Sequence, residues 1–168
     1  ATNVLNLSRV ENQTILTDVT EYNLSEQLRA CVLLLEDKWT KKKLELILEF
    51  KEYTITANEE LLKEVWLNLL DNAVKFNTDY GLVEITVLET EDTLEVSVIN
   101  SGKEIPMESL DHIFQKFYQA DESHATEGNG IGLAVTQKIV ALHGGHIDVD
   151  SREGRTAFTV TLPKKVQG

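Results

Sequence analysis

Residues 64–77, EVWLNLLDNAVKFN, carry apolar side chains at helical spacing. At about 100° per residue, Val65, Trp66, Leu69, Leu70, Ala73 and Phe76 share one broad arc. Asn58 precedes them as an N-cap. Glu59 and Glu60 occupy the first turn, where the helix dipole favours acids. The pattern predicts a long helix from Asn58 to residues 77–79, with Gly81 as its stop.

Upstream, Val4, Leu7 and Val10 keep helical spacing and predict the last turns of a helix. Residues 14–20 are β-branched and predict a short strand. Asn23, with Glu26 three residues on, resembles a capping box and opens a helix over 24–42. Leu24, Leu28, Cys31, Leu35 and Trp39 lie near one face of it. Residues 44–50 alternate as a strand, and 53–56 add a strand piece. Beyond the central helix, β-rich runs within 83–100 flank Glu91 and Asp92 as a hairpin. Residues 107–118 predict a short amphipathic helix bearing Ile113, Phe114 and Phe117. Residues 119–130 hold almost nothing to bury and predict a mobile functional loop. A helix from Gly132 stops at Gly144-Gly145, and strands at 146–150 and 156–162 follow. Helices and antiparallel strands in this order pack as a two-layer α+β sandwich.

The helix over 64–77 has one odd feature. Glu64, Asn68, Asn72 and Lys75 form a second stripe, at i, i+4, i+8 and i+11. Asparagine is a poor helix former because its amide competes with the backbone. An amide oxygen is a hard neutral ligand that suits Mg²⁺, and a lysine beside it suits a phosphate. The plain alternative is a solvated face that happens to contain two asparagines.

Composition narrows the field. The 168 residues make one domain with room for a proper core. A net charge of −12 argues against a nucleic-acid surface. It leaves room for a phosphate ligand held by a metal, a lysine and a helix N-terminus. The single cysteine, Cys31, excludes an internal disulfide and reads as a buried small hydrophobe. No stretch approaches the ~20 apolar residues that span a bilayer. The chain opens within a helical pattern and without Met, which predicts a piece of a longer protein.

Two further constellations matter. Gly128-Asn129-Gly130-Ile131-Gly132 runs straight into a helix, so its backbone can approach a phosphate. No Lys-Ser or Lys-Thr follows, which excludes a Walker P-loop, and no strand leads into it as in a Rossmann turn. Alone it is equally a hinge. Asn100-Ser101-Gly102 ends an apolar strand, and alone it is a plain turn.

Taken in order, these parts resemble the catalytic and ATP-binding domain of sensor histidine kinases, in the GHKL superfamily with the Bergerat ATP-binding fold. Asn68-Leu-Leu-Asp-Asn72-Ala-Val-Lys75-Phe76 is similar to the N box. Asn100-Ser-Gly102 with Ile105-Pro106 is similar to the first glycine box. Ile113-Phe114-Gln-Lys116-Phe117-Tyr118 resembles the F box, and Gly128 to Leu133 the second glycine box. Gly154-Arg-Thr156-Ala-Phe158 resembles a late Gly/Thr motif. Residues 1–13 resemble the end of the preceding dimerisation helix, which leaves 14–168 as the catalytic domain.

The resemblance implies a mixed, mostly antiparallel sheet covered on one face by helices, with a mobile ATP lid. It implies ATP and Mg²⁺ as cofactors. Asn72 would be the main metal ligand, with Asn68 nearby. Lys75 would contact phosphate, and Phe76 would border the sugar and phosphates. Asn100 would read the adenine amine, and Gly102 would let the chain pass the base. Ile105, Lys116, Phe117 and Thr156 would join the nucleotide site. Gly128, Gly130, Ile131, Gly132 and Leu133 would hold the phosphates. Glu64 matches the acidic N-box residue that activates water in some relatives, and with Lys75 completes the candidate catalytic pair. The implied partners are an upstream dimerisation and phosphoacceptor domain of the same protein and a response regulator, with no nucleic acid. The isolated chain would be monomeric and the whole protein a homodimer, a membrane-anchored sensor with this domain in the cytoplasm.

Departures are visible. Asn100 stands where many relatives have Asp, Gln119 where many have Arg, and His124 in a lid that is often Arg-bearing. His112, His124, His143 and His146 are followed by Ile, Ala, Gly and Ile, so none fits the acceptor pattern of His, an acid and then Pro. The acceptor is expected upstream. Three other readings stay open: a serine kinase of the anti-sigma-factor type, a degenerate nucleotide-binding module, and an ATPase clamp of the gyrase, mismatch-repair or chaperone kind.

Overall fold

The computed structural model describes residues 15–115 and 132–167. Asn23 ends strand β1 (Thr20–Asn23) and caps helix α1 (Leu24–Leu34) by accepting the Glu26 N–H at 2.9 Å. Helix α2 (Glu36–Lys41), strands β2 (Glu45–Leu48) and β3 (Thr54–Ala57) and helix α3 (Glu59–Lys75) follow. The hairpin is β4 (Leu82–Glu89) and β5 (Thr93–Ser101). Helices α4 (Met107–Leu110) and α5 (Gly132–Leu142) precede a second hairpin, β6 (His146–Arg152) and β7 (Arg155–Pro163).

Five strands form one sheet in the order β2-β4-β5-β7-β6. Within this sheet the β2–β4 pair is parallel and the other three pairs are antiparallel. Strands β1 and β3 form a separate antiparallel pair. Period-two alternation decides which sheet face is covered. Val83, Ile85, Leu94, Val96, Val98, Phe158, Val160 and Leu162 are buried, while their neighbours Glu84, Thr86, Glu95, Ser97, Thr159 and Thr161 are half-exposed. The helices pack on the apolar face, with α3 in contact with α1, α5 and β5. This is the α+β sandwich, a mixed and mostly antiparallel sheet with helices on one side.

The apolar arc of α3 is the centre of the core. Val65, Trp66, Leu69, Leu70 and Ala73 are all buried, and Phe76 is half-buried. Trp66 cannot be buried without a partner for its N–H. Gln27 of α1 supplies it: Oε1 accepts from Trp66 Nε1 at 2.9 Å and from the Tyr22 hydroxyl at 2.8 Å. Gln27 Nε2 donates to the Glu59 carbonyl at 2.7 Å. Burial pushes the Tyr22 phenol above its ordinary range, which keeps it a donor. Burial likewise pushes the Cys31 thiol up to about 11, so it is an inert core residue.

Several sequence expectations need correction. The strand placed at 14–20 is β1, at Thr20–Asn23. The helix over 24–42 is two helices broken at Leu35, whose N–H bonds back to the Val32 carbonyl at 3.1 Å while Trp39 Nε1 takes the same carbonyl at 2.9 Å. The strands at 44–50 and 53–56 are Glu45–Leu48 and Thr54–Ala57. Helix α3 stops at Lys75, because Lys42 Nζ occupies the carbonyls of Val74, Lys75 and Asn77 at 2.8, 2.8 and 3.2 Å. Within 107–115 only Met107–Leu110 is helical, and turns follow. Lys116, Phe117, Gly128, Gly130 and Ile131, the expected lid at 119–130 and the stub at 1–13 lie outside the described residues.

His143 joins α5 to α3. It is 1% exposed. Its Nε2 accepts the Asn58 N–H at 3.2 Å, so Nδ1 carries the proton and faces the Ile139 carbonyl at 2.8 Å. Asn58 in turn caps α3 by accepting from Leu61 N at 2.9 Å, and its Nδ2 donates to the Thr17 carbonyl at 2.8 Å. Burial holds the imidazole below its ordinary value of 6.5, despite the opposing pull of the Ile139 carbonyl. A proton on Nε2 would meet the Asn58 N–H head-on. The unfolded chain therefore takes up a proton below pH 6.5 that the folded chain refuses, and stability falls on acidification through that window. Chemical denaturation at pH 7.5 and 5.5 checks this. His143→Gln is expected to be less stable than the native chain at pH 7.5 by about 1–3 kcal/mol, with a smaller gap at pH 5.5. An unchanged gap would exclude His143 as the source.

Candidate functional site

The polar stripe of α3 is not a solvated face. Glu64, Asn68, Asn72 and Lys75 are each half-buried, whereas Glu60 and Lys63 are exposed. Asn68 Nδ2 lies 3.2 Å from the Gly132 carbonyl and 3.4 Å from Thr136 Oγ1, so it fastens the start of α5 to α3. One turn on, the Asn72 amide makes no hydrogen bond to another described residue. Lys75 lies 3.8 Å from the Asp71 carboxylate, which also pairs with Lys38 of α2 at 2.8 Å. Leu133 is half-buried beside this stripe's α5 contact.

The far end of the sheet supplies the second wall. Asn100 falls in phase with Leu94, Val96 and Val98, so it points into the covered face and is buried. Thr156, its register partner on β7, is buried too. Ser151 of β6 faces Thr156, with the hydroxyls 2.7 Å apart, and Ser151 Oγ accepts the Ile105 N–H at 2.8 Å. The loop after β5 is clasped to the β6–β7 turn. Gly102 N donates to the Gly154 carbonyl at 3.1 Å, and Gly154 N donates to Glu104 Oε1 at 2.9 Å.

Gly102 brings the two walls together. Its φ is +128°, and a Cβ there would stand 2.7 Å from the Phe76 carbonyl oxygen at the end of α3. A second lock lies alongside. Asn77 Oδ1 accepts from Ser101 Oγ and Thr78 N, each at 2.9 Å, and Asn77 Nδ2 donates to the Leu82 carbonyl at 2.8 Å. The structure thus brings the α3 stripe, Phe76, Asn100, Gly102, Ile105, Gly132, Leu133 and Thr156 around one region.

Sequence reading missed Asn77, Lys42 and Ser151. A polar residue in the apolar phase of a strand marks Asn100 and Thr156 in the sequence. Nothing local marks Lys42, whose targets lie more than thirty residues away.

The chemistry available combines amide and hydroxyl oxygens with the Lys75 ammonium and the nearby Glu64 and Asp71 carboxylates. No group of three or more His, Cys, Asp or Glu side chains that could hold a metal occurs among the described residues. A divalent ion here would rely on amide oxygens, on water and on its ligand's phosphates, and Mg²⁺ is usually held by few protein groups together with water and substrate phosphates. The Asn72 amide, which makes no hydrogen bond to another described residue, fits that role.

The profile of the histidine kinase-, DNA gyrase B- and HSP90-like ATPases matches residues 57–166, and the chain belongs to that family. It is an ATP-binding domain of the GHKL fold. The adaptive-response sensory kinase SasA of Crocosphaera subtropica is 33% identical over 96% of this chain and 44% of its own length. The catalytic domain of histidine kinase ThkA superposes with a TM-score of 0.80 at 32% identity, covering 89% of this chain and 97% of that one. ThkA in complex with the response regulator TrrA gives a TM-score of 0.81 at 30% identity, over 97% of this chain and 46% of that one. The chain spans less than half the length of the curated sensory kinase.

Proposed function

We propose that this chain is the catalytic domain of a sensor histidine kinase. It would bind Mg²⁺-ATP and present the γ-phosphate to a histidine on an upstream dimerisation domain of the same protein. The observation that carries this is the half-buried Asn68/Asn72/Lys75 stripe facing the start of α5. Kinase relatives of matching fold support it.

The residues divide the work. Asn72 holds the metal, and Asn68 keeps α5 at the right distance. Lys75, oriented by Asp71, answers phosphate charge. Asn100 accepts from the adenine amine, Thr156 lies beside it, and Gly102, Ile105 and Phe76 line the base and sugar. Leu133 and the α5 N-terminus close the phosphate side. Glu64 sits near the transfer path. Bound Mg²⁺-ATP supplies the phosphoryl group and the metal charge that offsets its oxygens. The protein contributes position and fixed dipoles. Residues 14–168 form this domain and residues 1–13 lead in from the dimerisation helix. The whole protein acts as a homodimer that passes phosphate to a response regulator, as ThkA pairs with TrrA. No helix among the described residues is long and apolar enough to cross a membrane. A membrane anchor would belong to another part of the protein.

The test is phosphotransfer. The chain alone, given labelled ATP, is expected to stay unlabelled, and to place acid-labile phosphate on an added dimerisation domain. Acid-labile label on one of its own four histidines would overturn the reading. Acid-stable label on a protein substrate would point to serine transfer instead.

A further inference from the structure

The last carbonyls of a helix have no partner within it and form the negative end of its dipole. At the end of α3 a cation from a distant turn answers them. Lys42, in the turn between α2 and β2, is half-buried. Its Nζ donates to the carbonyls of Val74 and Lys75, the last residues of α3, at 2.8 Å each, and to the Asn77 carbonyl at 3.2 Å. An ammonium has three N–H donors and no acceptor, so these contacts engage all of it. Lys42 has no donor left for a ligand.

The same turn grips the segment beyond the helix. The Lys42 carbonyl accepts the Tyr80 N–H, and Glu45 N donates to the Gly81 carbonyl, each at 2.9 Å. Lys43 Nζ lies 3.0 Å from the Tyr80 hydroxyl and 5.1 Å from the ring centre. Lys43 and Tyr80 both hold a positive φ, 56° and 63°. Side-chain-bearing residues keep that conformation only where their surroundings over-determine it.

Residues 74–81 carry one wall of the proposed site. Lys75 stands there to answer phosphate. The Phe76 carbonyl is the atom that a Cβ on Gly102 would meet at 2.7 Å. Asn77 Oδ1 accepts from Ser101 Oγ at 2.9 Å and ties the segment to the end of β5. Removing the Lys42 ammonium would release α3's end and let Lys75 and Phe76 shift against the loop after β5.

We propose that Lys42 is a positioning residue for the nucleotide site: by holding the carbonyls at the end of α3, its ammonium sets where Lys75 and Phe76 stand. The inference rests on the proposed nucleotide site. Lys42 acts through that segment and touches no reacting atom.

Affinity, read apart from stability, decides it. Lys42→Met keeps the stem and loses the donors. Calorimetry at a temperature where the variant is fully folded is expected to show Mg²⁺-ADP bound at least about tenfold more weakly, because small displacements of a binding group are costly. His143→Gln is the control, since it loosens the other end of α3 through the Asn58 N–H. It should melt lower and keep the native ADP affinity. Native affinity in Lys42→Met, or an equal loss in His143→Gln, would reduce Lys42 to a stabilising contact and overturn the proposal. Lys42→Gln, whose amide keeps two N–H donors on a shorter stem, replaces Lys42→Met if that variant does not fold. Rescue adds a readout that lost stability does not give. In Lys42→Cys, the thiolate displaces bromide from 2-bromoethylamine and leaves an ammonium at nearly the lysine position, while the buried Cys31 is protected. The treated variant should regain ADP affinity, and treatment should not alter the native chain. No recovery would overturn the role given to the ammonium. Without nucleotide, the amide NMR signals of Phe76, Asn77 and Gly102 should move in Lys42→Met, and changes confined to the 42–45 turn would also overturn the proposal. Failure of the native chain to bind ADP at all would refute the nucleotide site, while the amide signals would still judge the link from Lys42 to Gly102.

Discussion

Asn72→Ala is expected to weaken Mg²⁺-ATP binding by at least about a hundredfold, since losing even an outer partner costs a metal site roughly 10–100-fold. The same change should leave the unliganded domain as stable as before, or slightly more so. The reason is local. Asn72 lies inside α3, where alanine is the better helix former by about half a kcal/mol. Its amide makes no hydrogen bond to another described residue, so truncation strands no partner among them. Affinity and stability therefore move in opposite directions. Calorimetry for binding and thermal melting for stability check the pair. A large drop in melting temperature would make Asn72 a structural residue, and unchanged affinity would remove it from the metal site.

Gly102→Ala is expected to damage both stability and binding. A φ of +128° is a conformation that L side chains rarely adopt, and such strain costs on the order of 1–3 kcal/mol. The added methyl would also press on the Phe76 carbonyl at 2.7 Å, which is backbone and cannot rotate away. The chain must shift, and it takes with it the Gly154 clasp and the register of Asn100. The measurable outcome is a lower melting temperature together with at least tenfold weaker ADP binding. Gly154→Ala is the control. It also has a positive φ, but a Cβ there meets nothing within 4 Å, so it should lose stability without comparable loss of binding. Equal effects from both would mean that strain alone, and not the approach to Phe76, matters at Gly102.

Much of this was legible in the sequence for one reason: period and phase. The apolar arc of α3 and the alternation of β4, β5 and β7 follow from residue spacing, and the structure buries the residues those spacings select. Asn100 and Thr156 were found by their motifs, and the structure shows that both are polar residues in an apolar phase. The break at Leu35 could not. It depends on the Val32 carbonyl turning to Trp39, a choice that helix periodicity does not encode. The early stop of α3 has the same origin, since Lys42 reaches its end from a loop distant in sequence. Aromatic residues at helical spacing also misled. Ile113 and Phe114 are buried and half-buried, and Phe114 meets Phe158 edge-on at 6.2 Å, yet the backbone there turns instead of coiling. Burial fixed the side chains and left the local backbone free to choose.

Titration of the chain with a non-hydrolysable ATP analogue, with and without Mg²⁺, addresses the central claim most directly. The account predicts saturable one-to-one binding that requires Mg²⁺ for full strength and is lost in Asn72→Ala. No heat of binding at millimolar nucleotide, or binding of equal strength in a chelator, would contradict it.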